Sequence, residues 1–140
     1  MSVDVHVVTP ERELWTGSAA TVIARGVDGE VGILAGHMPL LVRLAIGPLR
    51  IQRDGEPELL AVVDGGFLHV TSSSEEGTRV DVMASQAEFV DEIDVAAAQS
   101  RADELTAQLA ASRDTAVAEA QLVSIKSELR KALVRVSLGS

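Results

Sequence analysis

The stretch GEVGILAGHMPLL, residues 29–41, places glycine, histidine and proline between two short apolar segments. Gly29 and Gly32 suit backbone conformations that other residues avoid, and the run Gly36–Pro39 predicts a turn before Leu40 restarts an apolar segment. We therefore predict a shaped loop whose polar tip is held between two strands. Such a tip is a suitable place for contact with another molecule.

Alternation of apolar and polar residues predicts β-strands on both sides of this loop. The apolar positions recur with a period of two, and they include Val3, Val5, Val7, Val22, Ala24, Leu49, Ile51, Val80 and Val82. A period of two is typical of strands that bury one face. All four prolines and ten of the eleven glycines precede residue 78, which confines the strands and turns to the first part of the chain.

Turn residues separate the predicted strands at short intervals. Asp28–Gly29 predicts a turn, and Asp54–Gly55 and Gly65–Gly66 each predict a hairpin. The polar run Ser72–Gly77 predicts a longer hairpin loop. Many short strands connected in this way favour a β-sandwich or a flattened barrel.

From about Asp94 the apolar spacing changes to steps of three and four residues, which is typical of amphipathic helices. The first stripe comprises Ala98, Ala102, Leu105 and Leu109, and the second comprises Ala118, Leu122, Ile125, Leu129, Leu133 and Val136. Asp94 is the predicted N-cap of the first helix, and Asp114 or Thr115 that of the second. Ser112 and Arg113 form the predicted turn. No glycine or proline marks this turn, so a single long helix remains an alternative.

The change of period divides the chain into a β-sandwich domain, residues 1–86, and a C-terminal helical domain, residues 87–140. Helices shorter than about 12–15 residues are marginal in water, so each helix depends on burying its apolar stripe. In an antiparallel two-helix hairpin the stripes cover each other, whereas in an open form they must cover a partner. We therefore predict a β plus α protein whose hairpin is able to open.

The charge balance limits the class of partner. The chain has 12 basic and 21 acidic side chains and a formal net charge of −9, which argues against nucleic acid or an anionic membrane surface as the main partner. The segment Thr115–Ser140 reverses this balance with four basic and two acidic residues, so it is able to attract an acidic surface. No apolar run approaches the roughly 20 residues that cross a bilayer, and we expect no direct membrane insertion.

Candidate catalytic and metal-binding residues are few. Cysteine is absent, which removes disulfides and thiolate chemistry and is compatible with a reducing compartment. His6, His37 and His69 invite a zinc site but lie on separate segments without a paired spacing. The acidic run Glu88–Asp94 lacks the spacing of a calcium loop and is explained as a solvated linker before a helix. We predict no catalytic residue, no metal and no cofactor.

Several motifs together resemble the epsilon chain of the F-type ATP synthase of bacterial or chloroplast type. They are GEVGILAGHMPLL at residues 29–41, VVTPERELWTG at Val7–Gly17 and VDGGFLHV at Val63–Val70. The order of parts, a glycine-punctuated strand region before a helical tail, is also similar to that family. The resemblance implies a β-sandwich of two sheets followed by a two-helix hairpin.

The resemblance also implies a non-catalytic subunit at the cytoplasmic face of the plasma membrane, held there through the synthase. Its sandwich is expected to dock on the gamma subunit and the c ring, with Glu30 and His37 facing the ring. The basic face of the second helix is expected to engage the catalytic β subunits and restrain ATP hydrolysis; it comprises Lys126, Arg130, Lys131 and Arg135. From spacing alone, Glu30 and His37 are explained as solvated turn residues, and the four basic residues are consistent with a solvated helix face.

One motif of the family is incomplete. Some bacterial epsilon chains bind ATP through an Ile/Leu-Asp-x-x-Arg-Ala motif, in which the arginine meets phosphate. This chain has Ile93 and Asp94 but places Ala97 at the arginine position. Loss of the guanidinium removes a bidentate phosphate contact, so we expect no ATP binding through this motif.

Two other classes of protein remain as alternatives. The first is a free-standing β-sandwich module that binds a protein or glycan through residues 29–41 and oligomerises through its helices. The second is a small metal-dependent enzyme that uses the histidines.

Overall fold

The computed structural model describes residues 2–111 and 119–139. Its strands are β1 (Val3–Val8), β2 (Glu13–Ala19), β3 (Thr21–Gly26), β4 (Gly29–Leu34), β5 (Leu40–Gln52), β6 (Leu59–Ser73) and β7 (Gly77–Phe89). A 3₁₀ turn, Val90–Glu92, precedes the helices α1 (Val95–Ala111) and α2 (Glu119–Gly139). The chain forms two compact units, Met1–Phe89 and Val90–Ser140. The strand β7 thus extends three residues past position 86, the predicted end of the sheet domain.

The seven strands form one continuous sheet in the order β2-β1-β7-β6-β5-β3-β4. All neighbours are antiparallel except β1 and β7, which are parallel. Although β1 and β3 lie far apart in this order, Val5 of β1 and Val22 of β3 belong to the same buried cluster. The sheet therefore folds over on itself, and its two halves form the two layers of a sandwich. The predicted fold class is confirmed, with the two sheets continuous through the long strands.

Burial along the three long strands shows where they cross between the layers. In the first layer the inward residues have even numbers, such as Leu68 in β6 and Val82 in β7. In the second layer they have odd numbers, such as Leu49 in β5, Ala61 in β6 and Ala87 in β7. Because successive strand residues point to opposite faces, a change of parity requires an irregularity in the strand. The irregularities lie near residues 45–47, 65–66 and 85–86, side by side across the sheet.

The pair Gly65–Gly66 corrects one prediction, since it lies inside β6 and does not form a hairpin. Both residues have positive φ, 69° and 104°, in the region that favours glycine. A Cβ on Gly66 would overlap the carbonyl oxygen of Met83 and lie 2.8 Å from the Cα of Ala84 in the neighbouring strand. The two glycines therefore let β6 bend tightly against β7 where the sheet passes from one layer to the other.

Two other predicted turns are confirmed, since Val27–Asp28 joins β3 to β4 and Asp54–Gly55 lies in the β5–β6 hairpin. The β6–β7 hairpin is present, but its loop is only Ser74–Glu76 and not the longer Ser72–Gly77, because Ser72 and Ser73 pair with β7. The loop predicted over residues 29–41 is shorter than expected, because residues 29–34 form the edge strand β4 and pair with β3. Only residues 35–39 connect β4 to β5 without sheet pairing.

The helical unit is an antiparallel hairpin, which excludes the single long helix. Ala102 and Leu105 of α1 pack with Ala132 of α2, and a Cβ on Gly139 would contact Val95, so the end of α2 lies beside the start of α1. The carboxylate of Asp94 accepts the N–H of Ala97 at 3.0 Å, which confirms the predicted N-cap. The predicted turn at Ser112–Arg113 and the second N-cap, Asp114 or Thr115, lie outside the described residues.

Among the described residues, the buried side of α2 differs from the predicted stripe at one position, and Ala118 of that stripe lies outside them. Leu133 is 49% exposed, and its neighbour Ala132 is buried in the seam with Ile125 and Leu129 packed beside it. The small side chain of Ala132 lets the two helices approach closely, so Ala132 and not Leu133 lies in the seam.

Within the described ranges, no helix is long and apolar enough to cross a bilayer.

We predict that Gly66→Ala lowers the free energy of unfolding by about 3 kcal/mol, because it adds strain at positive φ and overlap with β7. Gly32→Ala is the matched control, since a Cβ there meets nothing within 4 Å. We expect the control to change stability by less than about 1 kcal/mol. Urea unfolding of both variants measures the difference, and equal losses would show that the bend does not depend on Gly66.

Candidate docking surfaces

The connection from β4 to β5, residues 35–39, is the first candidate surface and is called the docking loop below. Met38 is its most exposed apolar side chain, at 76%, and His37 is half-buried. The N–H of His37 donates to the carbonyl of Leu34 at 3.1 Å. Its Nδ1 lies 2.7 Å from the carbonyl oxygen of Met38, so Nδ1 carries the proton and donates. The loop therefore presents Met38 to solvent beside an imidazole whose orientation is fixed.

Two hydroxyl groups of the β6–β7 hairpin attach this loop to the sheet. The N–H of Gly36 donates to Oγ1 of Thr78 at 2.7 Å, and Oγ of Ser72 donates to the carbonyl of His37 at 2.6 Å. The two hydroxyl oxygens lie 3.1 Å apart. A cleft of about 360 Å³ lies beside them, bounded by the docking loop and the hairpin.

Glu30, the second residue predicted to face the c ring, lies in the edge strand β4 and not in the loop. It is exposed, and its register partner in β3 is Arg25. The strand separates Glu30 from Leu34 by about 13 Å, at about 3.3 Å per residue, and His37 follows beyond Leu34. Glu30 and His37 therefore lie toward opposite ends of β4, and a partner that touches both must extend along this edge.

The second candidate surface lies on the outward face of the first layer and is called the docking face. It consists of Leu41 and Arg43 in β5, Phe67 in β6 and Met83 in β7. Arg43 pairs with Phe67, and Phe67 pairs with Met83, so the three form a row across the sheet. Leu41, Phe67 and Met83 are 62%, 46% and 42% exposed. Several large apolar side chains exposed together are typical of an interaction surface.

The docking face was not predicted from the sequence, although the sequence contains a signal for it. In β6 the residues from Phe67 to Val70 are mostly apolar, so both faces of that segment carry apolar side chains. The inner face of this strand is already buried in the core. An apolar residue on its outer face therefore indicates a second surface, which a partner is able to cover. The row itself depends on the register between β5, β6 and β7, which the sequence does not reveal.

Two arginines on or near the docking face differ, because one forms an ion pair and the other does not. Arg79 forms an ion pair with Asp81 at 3.0 Å, and the hydrogen bond to this carboxylate, with its charge, raises the pKa of Arg79. Arg43 is exposed and has no ion pair among the residues that the structure describes. The face therefore offers an uncompensated positive charge within an acidic protein.

The three histidines do not come together. His6 and His69 both lie in register with Asp81, one on each side of it, while His37 lies in the docking loop. Nε2 of His6 is 3.4 Å from a carboxylate oxygen of Asp4. Across residues 2–111 and 119–139, no group of three or more histidine, aspartate or glutamate side chains is placed to hold a metal ion. The acidic run Glu88–Asp94 likewise holds no such group.

The basic residues predicted on α2 divide into two pairs. Lys126 and Arg130 are exposed. Lys131 and Arg135 are half-buried and line a cleft of about 250 Å³ with Arg101 and Glu128. The four residues therefore do not form one uniform surface.

Arg101 connects the two helices on the side of this cleft. It contacts Glu128 of α2 at 2.6 Å and Glu104 of its own helix at 3.1 Å. The hydrogen bond to Glu104 is the main cause of a raised pKa for Arg101, so the guanidinium stays charged. At the start of α1, the side chain at the family's arginine position is the exposed methyl group of Ala97.

Comparison with known proteins matches these features to one family. The family described as "ATP synthase, Delta/Epsilon chain, beta-sandwich domain" matches residues 2–90. The ATP synthase epsilon chain of Brevibacillus brevis is 44% identical over 96 residues, which cover 69% of each chain. The ATP synthase epsilon chain of Mycolicibacterium smegmatis is 43% identical over 108 residues, which cover 74% of this chain and 85% of that one.

Solved structures agree in fold. One chain comes from the cryo-EM structure of the Euglena gracilis mitochondrial ATP synthase, described as OSCP/F1/c-ring in rotational state 1. It has a TM-score of 0.78 at 25% identity and covers 95% of this chain and 78% of that one. A chain from the central stalk and c ring of the Tetrahymena thermophila enzyme has a TM-score of 0.65 at 14% identity, which is a likeness of fold alone.

The matched domain and the sandwich with its helical hairpin define the class, the delta and epsilon chains of ATP synthases. The relatives named above are epsilon chains, at more than 40% identity. The chain belongs to the epsilon chain family of F-type ATP synthases, as its motifs indicated.

Proposed function

We propose that this chain is a non-catalytic coupling subunit of the central stalk, which joins the rotating c ring to the gamma subunit. The observation that carries the proposal is the docking face, where Leu41, Phe67 and Met83 are exposed beside Arg43. Aromatic residues, methionine and arginine are enriched in interfaces, and arginine is also frequent among the residues that contribute most to binding energy. We assign the docking face to gamma.

We assign the contact with the c ring to the edge that carries Glu30 and the docking loop. Its chemistry is mixed, with a carboxylate at one end and His37 and Met38 at the other. A sandwich suits such a role, because a packed sheet transmits force between two attached partners without opening. In this proposal the chain works at the cytoplasmic face of the plasma membrane, to which it is attached through the synthase.

The helical hairpin serves as a brake on ATP hydrolysis in this proposal. Its seam buries two alanines and one leucine, with Ile125 and Leu129 partly buried beside them, so opening it exposes less apolar surface than opening the sandwich. An opened α2 brings Lys126, Arg130, Lys131 and Arg135 to acidic surface on the catalytic β subunits. We further propose that nucleotide does not regulate this step through the family's motif, because Ala97 offers no group to phosphate.

Replacement of one arginine tests the docking face. We expect Arg43→Glu to weaken binding to isolated gamma by about tenfold or more, since a like-charged or unpaired group at an interface is costly. Arg50→Glu is the matched control, because Arg50 is also an exposed residue of β5 but lies in the second layer. Surface plasmon resonance with the full chain measures both affinities. Equal affinities would place gamma elsewhere, and a wild-type chain without affinity for gamma would favour a free-standing binding module.

Replacement of Glu30 and His37 tests the contact with the ring. We expect the double variant Glu30→Gln/His37→Ala to detach more readily from the c ring while its melting temperature stays near that of the wild type, because neither side chain is buried in the core. Each single variant shows which end of β4 contributes more. The exposed Glu11→Gln serves as control. A large fall in melting temperature without loss of attachment would refute the docking role.

Shortening the chain tests the brake. We expect a chain that ends at Ala111 to assemble normally and to leave ATP hydrolysis by the catalytic complex faster than with the full chain. The full-length variant Lys126→Ala/Arg130→Ala separates the contribution of the two exposed charges from that of the helix itself. Steady-state ATPase assays on reconstituted complexes provide the measurement. Unchanged hydrolysis by the shortened chain would mean that the helices have a structural role.

A further inference from the structure

Thr78 is an exception among the inward residues of β7. The other inward residues of this half of the strand are Val80, Val82 and Ala84, all buried and apolar. Thr78 is 4% exposed and is the one buried polar residue in the parts of the chain that the structure describes. Burying a hydroxyl is unfavourable unless it is hydrogen-bonded, and valine has the same shape. The hydroxyl therefore requires an explanation other than packing.

The hydrogen bonds around Thr78 run in one direction. The N–H of Gly36 is only a donor and the carbonyl of His37 is only an acceptor, so Oγ1 of Thr78 accepts the first and Oγ of Ser72 donates to the second. The proton of Ser72 is thereby used. In the 3.1 Å contact between the two hydroxyls, Oγ1 of Thr78 is therefore the donor and Oγ of Ser72 the acceptor. The result is a chain from Gly36 N–H through Thr78 and Ser72 to His37 C=O.

This chain of hydrogen bonds attaches the docking loop at two neighbouring residues, through the N–H of Gly36 and the carbonyl of His37. Ser72 and Thr78 face each other across β6 and β7, so the hairpin presents both hydroxyls from a rigid, paired site. Residues 35–39 have no sheet pairing of their own. Hydrogen bonds in such a chain polarise one another, so loss of one member weakens the others.

We infer that Ser72 and Thr78 are positioning residues that hold the docking loop, with His37 and Met38, in the conformation that its partner binds. The inference rests on the proposed function, because it assumes that the loop is a contact with the rotor. A loop that is ordered before binding does not lose conformational entropy on contact, and affinity falls in proportion to the fraction of molecules in the competent conformation. The role is indirect, since neither hydroxyl needs to touch the partner.

Thr78→Val in the full chain tests this inference, because it removes the hydroxyl and keeps the shape. Thr78→Ser restores the hydroxyl and should behave like the wild type. Ser73→Ala is the matched control: the Ser73 hydroxyl accepts the N–H of Glu76 at 2.8 Å within the β6–β7 turn, so its loss affects the same hairpin but not the loop. Ser72→Ala, which removes only the bond to His37 and the central link, is a second variant if Thr78→Val folds poorly.

Two measurements are needed. Hydrogen exchange of the Gly36 amide reports the attachment of the loop, and we expect Thr78→Val to accelerate it about tenfold while core amides are unchanged. Binding to synthase stripped of this chain reports docking, and we expect about tenfold weaker affinity for Thr78→Val and for Ser72→Ala, but not for Thr78→Ser or Ser73→Ala.

The outcomes separate this inference from the proposed function. Faster Gly36 exchange with unchanged affinity would overturn the positioning role while leaving the coupling function intact. Unchanged Gly36 exchange would show that the hydroxyls do not hold the loop, and it would also overturn the inference. A wild-type chain that does not bind the stripped synthase would refute the proposed function, and the positioning role with it.

Discussion

The fold depends on one constraint. In the adjacent strands β5, β6 and β7, the inward residues change from even-numbered to odd-numbered positions, or the reverse, at the same level of the sheet. If β6 alone changed parity, its neighbours would present polar residues to the core on one side of the bend. The register between β5, β6 and β7 continues through the bend, so the three strands cross from one layer to the other together. At the bend, Gly66 admits the backbone of β7 and Gly47 admits the side chain of Arg25. Both candidate surfaces follow from this geometry, because it determines which side chains face outward.

Sequence periodicity predicted the strands and the inward valines correctly, since alternation reflects burial directly. It failed at Gly65–Gly66, because a glycine with positive φ serves a hairpin and a bend inside a strand equally well. It also placed Glu30 in a loop, because the glycines of β4 resemble turn residues although the segment is an edge strand. In α2 it placed Leu133 in the seam, whereas the structure buries Ala132 there. The docking face was missed because cross-strand neighbours depend on register.

The two units differ in the kind of apolar surface that they bury. The sandwich buries Val, Ile and Leu side chains from six strands, and each large one contributes about 1.5–3 kcal/mol. The hairpin seam has Ala102 and Ala132 with Leu105, and its further contacts come from Ile125 and Leu129, which are only partly buried. The surface ion pair of Arg101 with Glu128 adds little to such a seam. This difference suits the proposed functions, in which the sandwich couples two partners and the hairpin opens.

The way in which the docking loop is attached fits the mechanical role that we propose for the sandwich. Apolar contacts are non-directional, so a loop packed only by Met38 or Leu34 would slide when a partner pulls on it. Hydrogen bonds weaken steeply with angle, and the chain through Thr78 and Ser72 holds the N–H of Gly36 and the carbonyl of His37 in a defined orientation. The exposed apolar side chains thus remain available to a partner, while the backbone beneath them is fixed by polar bonds to the sheet. A contact that must transmit torque needs this separation of the binding surface from the group that anchors it.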